Sequence, residues 1–139
     1  MTTNPLEVLH GFYAAEAAYL TEGADFADMA RYLAEDVVLY QAAGLPYGGE
    51  WRGHEGIRRF VETMHEAWDA LYFDEQRFVG DEHAVAAYSR VRFRARHSGR
   101  MLETSLLQWI SFRDGLVTEF RPYYHDTLAV VAALDGPAA

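Results

Sequence analysis

The chain has 139 residues, the length of one domain with a single sizeable core. Half of the residues are hydrophobic and 24% are charged, the balance of a globular rather than a disordered chain. The net charge is −9, all 12 basic residues are arginine and cysteine is absent; this argues against nucleic acid and anionic membranes as partners, and excludes disulfides, thiolate catalysis and zinc–sulfur sites. The first ten residues lack the basic and apolar regions of a signal peptide, and no apolar run reaches membrane-spanning length. We expect a soluble, cytoplasmic protein.

Asn4-Pro5 opens a helix, with proline tolerated in its first turn. Leu6, Leu9, Phe12, Tyr13, Ala17 and Leu20 recur at helical spacing, and Glu22-Gly23 ends the helix. Asp25 caps a second helix through DFADMARYLAED. Val37 to Gln41 reads as a strand, and AAGLPYGGEWRG as a loop with a tight glycine pair. His54 stands where a third helix begins, with the stripe Ile57, Phe60, Val61, Met64, Trp68 and Leu71. From about Phe73 the period changes to two, with strands near 73–80, 84–97, 100–112 and 116–124. Asp126 caps a last helical turn, TLAVVAAL, and GPAA frays. Helices followed by a meander make an α+β fold.

Two hairpins set which residues face inward. A two-residue Ser98-Gly99 turn pairs His97 with Arg100. Phe93, Val91 and Ser89 then share the apolar inner face with Leu106 and Gln108. Arg90, Arg92, Arg94, Tyr88, Leu107 and Trp109 lie on the outer face, with Arg94 opposite Glu103. At Arg113-Asp114-Gly115 two turns compete, and a slip of one residue flips the following strand. The three-residue turn turns Leu116, Phe120 and Tyr124 inward and Glu119 and Arg121 outward, so we adopt it. Pro122 lacks a donor, so we expect a bulge or a local edge there.

FYAAEAAY…GADF, LAEDVVLYQ, LPYGGEWRGHEGIRRF and WISFRDGLVTEFRPYYHD, in this order, resemble the nuclear-transport-factor-2-like superfamily in its SnoaL-like, ketosteroid-isomerase-like branch. The resemblance covers nearly the whole chain. It implies a single SnoaL-like domain over residues 1–139: a conical barrel with three N-terminal helices packed on a curved, mostly antiparallel sheet around a deep apolar pocket. It implies several functions rather than one, because members include isomerases, polyketide cyclases, dehydratases, epoxide hydrolases and binding domains. In the isomerase branch a strand carboxylate is the general base, and a protonated acid with a tyrosine binds the oxyanion. Those carboxylate positions match Gln41 and Gln108. An amide cannot take a proton at neutral pH, although Gln108 can donate an N–H to a carbonyl or enolate oxygen.

A pocket is therefore expected between helices one and three and the inner sheet face, lined by Leu39, Gln41, Trp68, Phe93, Leu106, Gln108, Phe120 and Tyr124. Tyr13 or Tyr19 points into it from helix one. Gln108 and Tyr124 polarise a substrate oxygen, and His65, on the flank of helix three, is the remaining base. Glu16 is either a buried carboxylate or, the reading we favour, a surface one. The pocket is then expected to lack a carboxylate base and to show negligible steroid double-bond isomerase activity. Histidine spacing suits no metal, and no cofactor is expected. With no inward Arg or Asp on the strands, epoxide hydrolysis is disfavoured. The leading reading is an isomerase, cyclase or dehydratase acting on a small apolar carbonyl or polycyclic compound through an enolate. The rivals are a non-catalytic binding domain and an association domain. Tyr88, Leu107, Trp109 and Tyr123 among arginines on the outer face predict a homodimer.

Overall fold

The computed structural model describes residues 4–135; residues 136–139, expected to fray, lie outside them. Helix α1 (Pro5–Glu22) begins where the Asn4 side chain accepts from the Leu6 N–H at 2.9 Å, and ends at Gly23 in the left-handed conformation. Its buried face is Val8, Leu9 and Phe12. The expected second helix shrinks to α2 (Ala27–Ala30), because Leu33, Ala34, Val37, Val38 and Leu39 all bury their side chains in strand β1 (Leu33–Gln41). Tertiary burial outweighs helix propensity over this segment.

The glycine-rich loop carries a short strand, β2 (Gly49–Arg52), antiparallel to β1. A Cβ at Gly48 would lie 2.3 Å from the Ala42 carbonyl oxygen, so the loop closes only with glycine there. Helix α3 (Gly53–Ala67) buries Ile57, Phe60 and Val61. His54 does not cap it; its ring nitrogen lies 3.1 Å from the Leu33 carbonyl oxygen and ties the first turn to β1. Trp68 and Leu71, read as the end of the helical stripe, belong instead to strand β3 (Trp68–Gly80). Strands β4 (Ala84–Ala95), β5 (Met101–Arg113) and β6 (Leu116–Tyr124) follow, and helix α4 (Thr127–Asp135) ends the described chain. Asp126 accepts from the Ala129 N–H at 3.0 Å, as an N-cap does.

One six-stranded sheet runs β2-β1-β6-β5-β4-β3, antiparallel except where β1 meets β6. Helices on one side of a curved sheet give the expected α+β cone. Two registers differ from expectation. The β4–β5 hairpin closes at Ala95 and Arg100, so Phe93 faces Leu102 and Ala87 faces Gln108. The Ser98 hydroxyl causes this by donating to the Ala133 carbonyl at 2.8 Å, which anchors a longer loop to α4. The slip is two residues, so every side chain keeps its face. Arg94 accordingly pairs with Asp69 at 2.7 Å, and Arg92 with Asp74, rather than Arg94 with Glu103.

At the second hairpin both Asp114 and Gly115 have positive φ, and Arg113 pairs with Leu116 across a two-residue turn. A bulge follows between Val117 and Glu119, after which Ile110 faces Phe120. Val117, not Leu116, is therefore buried, while Phe120 still turns inward. The bulge sits there rather than at Pro122. Pro122 lies past Leu39–Phe120, the last β1–β6 pair, so its missing N–H falls at a local edge.

Candidate functional site

The strands leave an inner chamber of about 90 Å³ between α1, α3 and the concave sheet face. Strand β1 contributes Leu39 and Gln41, β4 Ser89 and Phe93, β5 Leu106 and Gln108, and β6 Phe120, Pro122 and Tyr124. Phe12, Tyr13 and Glu16 enter from α1, and Ile57, Phe60, Val61 and Met64 from α3. An outer chamber of about 310 Å³ adjoins it, walled by Leu20, Met64, His65, Trp68, Leu71 and Phe73 among others. Tyr13, Glu16, Met64, Leu71 and Phe73 line both and form the neck between them. A larger groove of about 380 Å³ lies around Arg90, Arg92 and His125. It is open and polar, and Arg92 within it is already paired with Asp74, so it lacks the enclosed apolar character of a small-molecule site.

Hydrogen-bonded polar groups in and just behind the inner-chamber wall come in two sets. On one side the Gln108 amide N–H donates to the Tyr13 hydroxyl at 3.3 Å. Burial raises the Tyr13 phenol far above its ordinary value, and the Glu16 charge adds to the effect. Tyr13 thus stays neutral, accepts from Gln108 and keeps its own O–H for another acceptor. On the other side the hydroxyls of Tyr47 and Tyr124 lie 2.9 Å apart. Burial raises both phenols, while the Trp68 indole near Tyr47 and the Gln41 amide near Tyr124 partly offset it. Neither of those two contacts reaches full hydrogen-bond geometry. Gln41 is 8% exposed, and its Oε1, like Trp68 Nε1, has no partner among the described residues.

Glu16 overturns the expectation that the pocket lacks a carboxylate. It lines both chambers, and burial pushes its carboxyl up to about 7. The signal was present in the sequence: Leu9, Phe12, Tyr13 and Glu16 occupy one face at spacings of three and four. Tyr47 was missed altogether, because a loop carries no periodicity to orient it.

The other expected site residues divide cleanly. Leu39, Gln41, Phe93, Leu106, Gln108, Phe120, Tyr124 and Tyr13 line the inner chamber. Trp68 is buried against Phe93, ring centroids 5.1 Å apart, and reaches only the outer chamber. Tyr19 does not enter either chamber: it points along the outside and donates to Glu62 at 2.6 Å, bracing α1 against α3. His65 is exposed at the rim of the outer chamber and does not line the inner one, where Gln108 meets Tyr13. Arg90, Arg92, Arg94 and Arg96 are absent from both chamber walls, as the strand parity requires. Among the described residues no three His, Asp or Glu side chains converge as a metal site.

A curved sheet closed by helices over an enclosed, mostly apolar chamber defines an NTF2-like cone. The SnoaL-like domain family matches residues 9–120, and the chain belongs to that family. No curated protein matches its sequence. Among solved structures it is similar to an NTF2-like protein from Burkholderia xenovorans LB400, with 24% identity over 94% of this chain and 95% of that one and a TM-score of 0.83. It is also similar to TerC co-crystallised with polyporic acid, at 18% identity over 96% and 100% of the two chains and a TM-score of 0.76. A candidate SnoaL-like polyketide cyclase from Jannaschia sp. CCS1 is 18% identical over 92% and 94%, with a TM-score of 0.70. No helix among the described residues is long and apolar enough to cross a membrane.

Proposed function

We propose that this protein is a small-molecule enzyme that isomerises, cyclises or dehydrates a compact apolar carbonyl compound through an enolate. The observation that carries this reading is the Tyr13–Gln108 pair, set in a mostly apolar chamber with few other polar groups. A carbonyl oxygen that gains negative charge needs a fixed donor in a dry site, where each hydrogen bond is worth more than in water. Tyr13 offers its O–H, and Gln108 orients it. Tyr124, backed by Tyr47, is a second neutral phenol on the opposite wall. His65, exposed at the rim of the outer chamber, does not line the inner chamber and takes no part in this reading.

The polyporic acid held by TerC supports a cyclic, oxygen-bearing ligand for a cone of this kind. The rival reading is a binding domain without chemistry, and the amides at Gln41 and Gln108 favour it. Incubation with 2-tetralone in D₂O, followed by proton NMR, separates the two. Protein-dependent loss of the C1 proton signal, above the buffer rate, is expected of the enzyme. Binding with no such loss would establish the rival.

A further inference from the structure

We infer that Glu16 is the group that carries the proton in this site, a catalytic role moved from the strand position held by Gln41 to helix α1. The inference rests on the reading of the chamber as a site of carbonyl chemistry. Three observations support it.

First, Glu16 stands at the neck that joins the two chambers, within reach of a ligand in either. Second, its carboxyl has no hydrogen-bond or ion-pair partner among the described residues, and the residue is half-buried in the chamber wall. An acid that serves only the fold is ordinarily paired, and this one is left free to meet a ligand. Third, it follows Tyr13 by three residues on the same helix face. A base and an O–H donor thus stand side by side, as abstraction of a proton next to a carbonyl requires.

The surroundings keep this carboxyl available. Tyr13 faces it from α1 and stays neutral. Met64 on α3 and Leu71 and Phe73 on β3 complete the neck and bear no charge. The other titratable groups of the outer chamber are His65 on α3 and Asp69 on β3, and Asp69 is held by Arg94 at 2.7 Å. No cation competes with a substrate proton at the neck. Desolvation alone brings the carboxyl near neutrality, where one group both takes and returns a proton efficiently.

In the step, the Glu16 carboxylate removes a proton from the carbon next to the substrate carbonyl. The C–H pair becomes the enolate double bond, and the carbonyl π pair moves onto oxygen, where the Tyr13 O–H receives it. The Glu16 carboxylic acid then returns the proton to the same carbon or to a conjugated one, and the carboxylate is restored. No oxidant, reductant or second substrate is needed.

The test follows hydrogen–deuterium exchange at C1 of 2-tetralone in the full chain, in Glu16→Gln, in Glu16→Asp and in His65→Gln. The wild-type rate should rise with pH and level off above about 7. Glu16→Gln should lower it by about a hundredfold or more, with 2-tetralone affinity, measured by saturation-transfer NMR, changed by less than about threefold. Glu16→Asp should keep part of the activity, and His65→Gln most of it. Exchange by Glu16→Gln at the wild-type rate would overturn the inference and leave the enzyme reading standing. If Glu16→Gln failed to fold, a wild-type rate above the buffer background that showed no rise toward pH 7 would do the same. Binding of 2-tetralone without exchange by the wild-type protein would remove the enzyme reading, and this inference with it.

Discussion

Glu16 affects stability as well as chemistry. Its folded-state pKa, about 7, lies above the ordinary value of 4.5. Between those two values the native state holds a proton that the unfolded chain has released. Stability contributed by the group is therefore fully present below about pH 4.5, falls as pH rises, and is lost above about 7. The shift corresponds to at most about 3 kcal/mol, less where the half-buried carboxyl keeps water. We expect Glu16→Gln to be more stable than wild type at pH 8 by up to that amount, and equal to it at pH 4.5. Urea melts at the two pH values check this; equal stability at pH 8 would mean that the carboxyl is solvated. Gln41 makes a companion case. Its Oε1 is buried and unpartnered, which costs roughly 1–3 kcal/mol. Gln41→Leu should leave the melting temperature unchanged or raise it. A fall of several degrees would show that the amide serves the fold.

Strand β6 shows how an element can satisfy two competing signals. Asp114-Gly115 forms the tight turn that its dipeptide favours, and this buries Val117. The alternation of Phe120 and Tyr124 demands the opposite parity. The bulge after Val117 reconciles them. Val117 is fully buried, whereas Leu116 is 37% exposed. Val117→Ala should cost roughly 1.5–3 kcal/mol, and Leu116→Ala under about 0.5 kcal/mol. Paired denaturant melts would expose an error in this register, because the order of the two costs would reverse. Ser98 does the same for the first hairpin. Its bond to the Ala133 carbonyl sets the loop length, a contact 35 residues away that no local pattern announces.

At the scale of the molecule, the convex sheet face is the feature that calls for a partner. Tyr88, Leu107 and Tyr123 lie side by side across β4, β5 and β6, with Trp109 two residues along. Trp109 is 47% exposed and Tyr123 59%. Arg121 stacks on Tyr40 at 3.9 Å beside them. Aromatics with arginine are the residue types enriched in interfaces, and so continuous an apolar patch suits a covered surface. We expect a homodimer through this face, with the two chamber systems on the far sides of the pair. Light scattering at micromolar concentration should give the dimer mass, and Trp109→Glu should halve it. A monomer mass for the wild-type protein would rule out the assembly.

The alternation of side chains along β4 and β5 was enough to assign every residue to a face. That assignment survives a two-residue slip, which is why Gln108 and Phe93 were placed inward despite the wrong partners. The α1 start, the glycine stop and the α3 stripe as far as Met64 were equally local and equally legible, whereas Trp68 and Leu71 continued the stripe's spacing into a strand. What the sequence could not decide was anything set by contacts between distant segments. Whether the residues after Ala30 are helix or strand depended on burial against β6 and the helices. Which tyrosine of α1 enters the chamber depended on the rotation of that helix over the sheet, and it turned Tyr13 and Glu16 in and left Tyr19 out. The state of Glu16 depended on the same packing. A carboxylate spaced with apolar residues is an ordinary surface acid until a neighbouring helix and strand take part of its water away, and only the assembled cone does that.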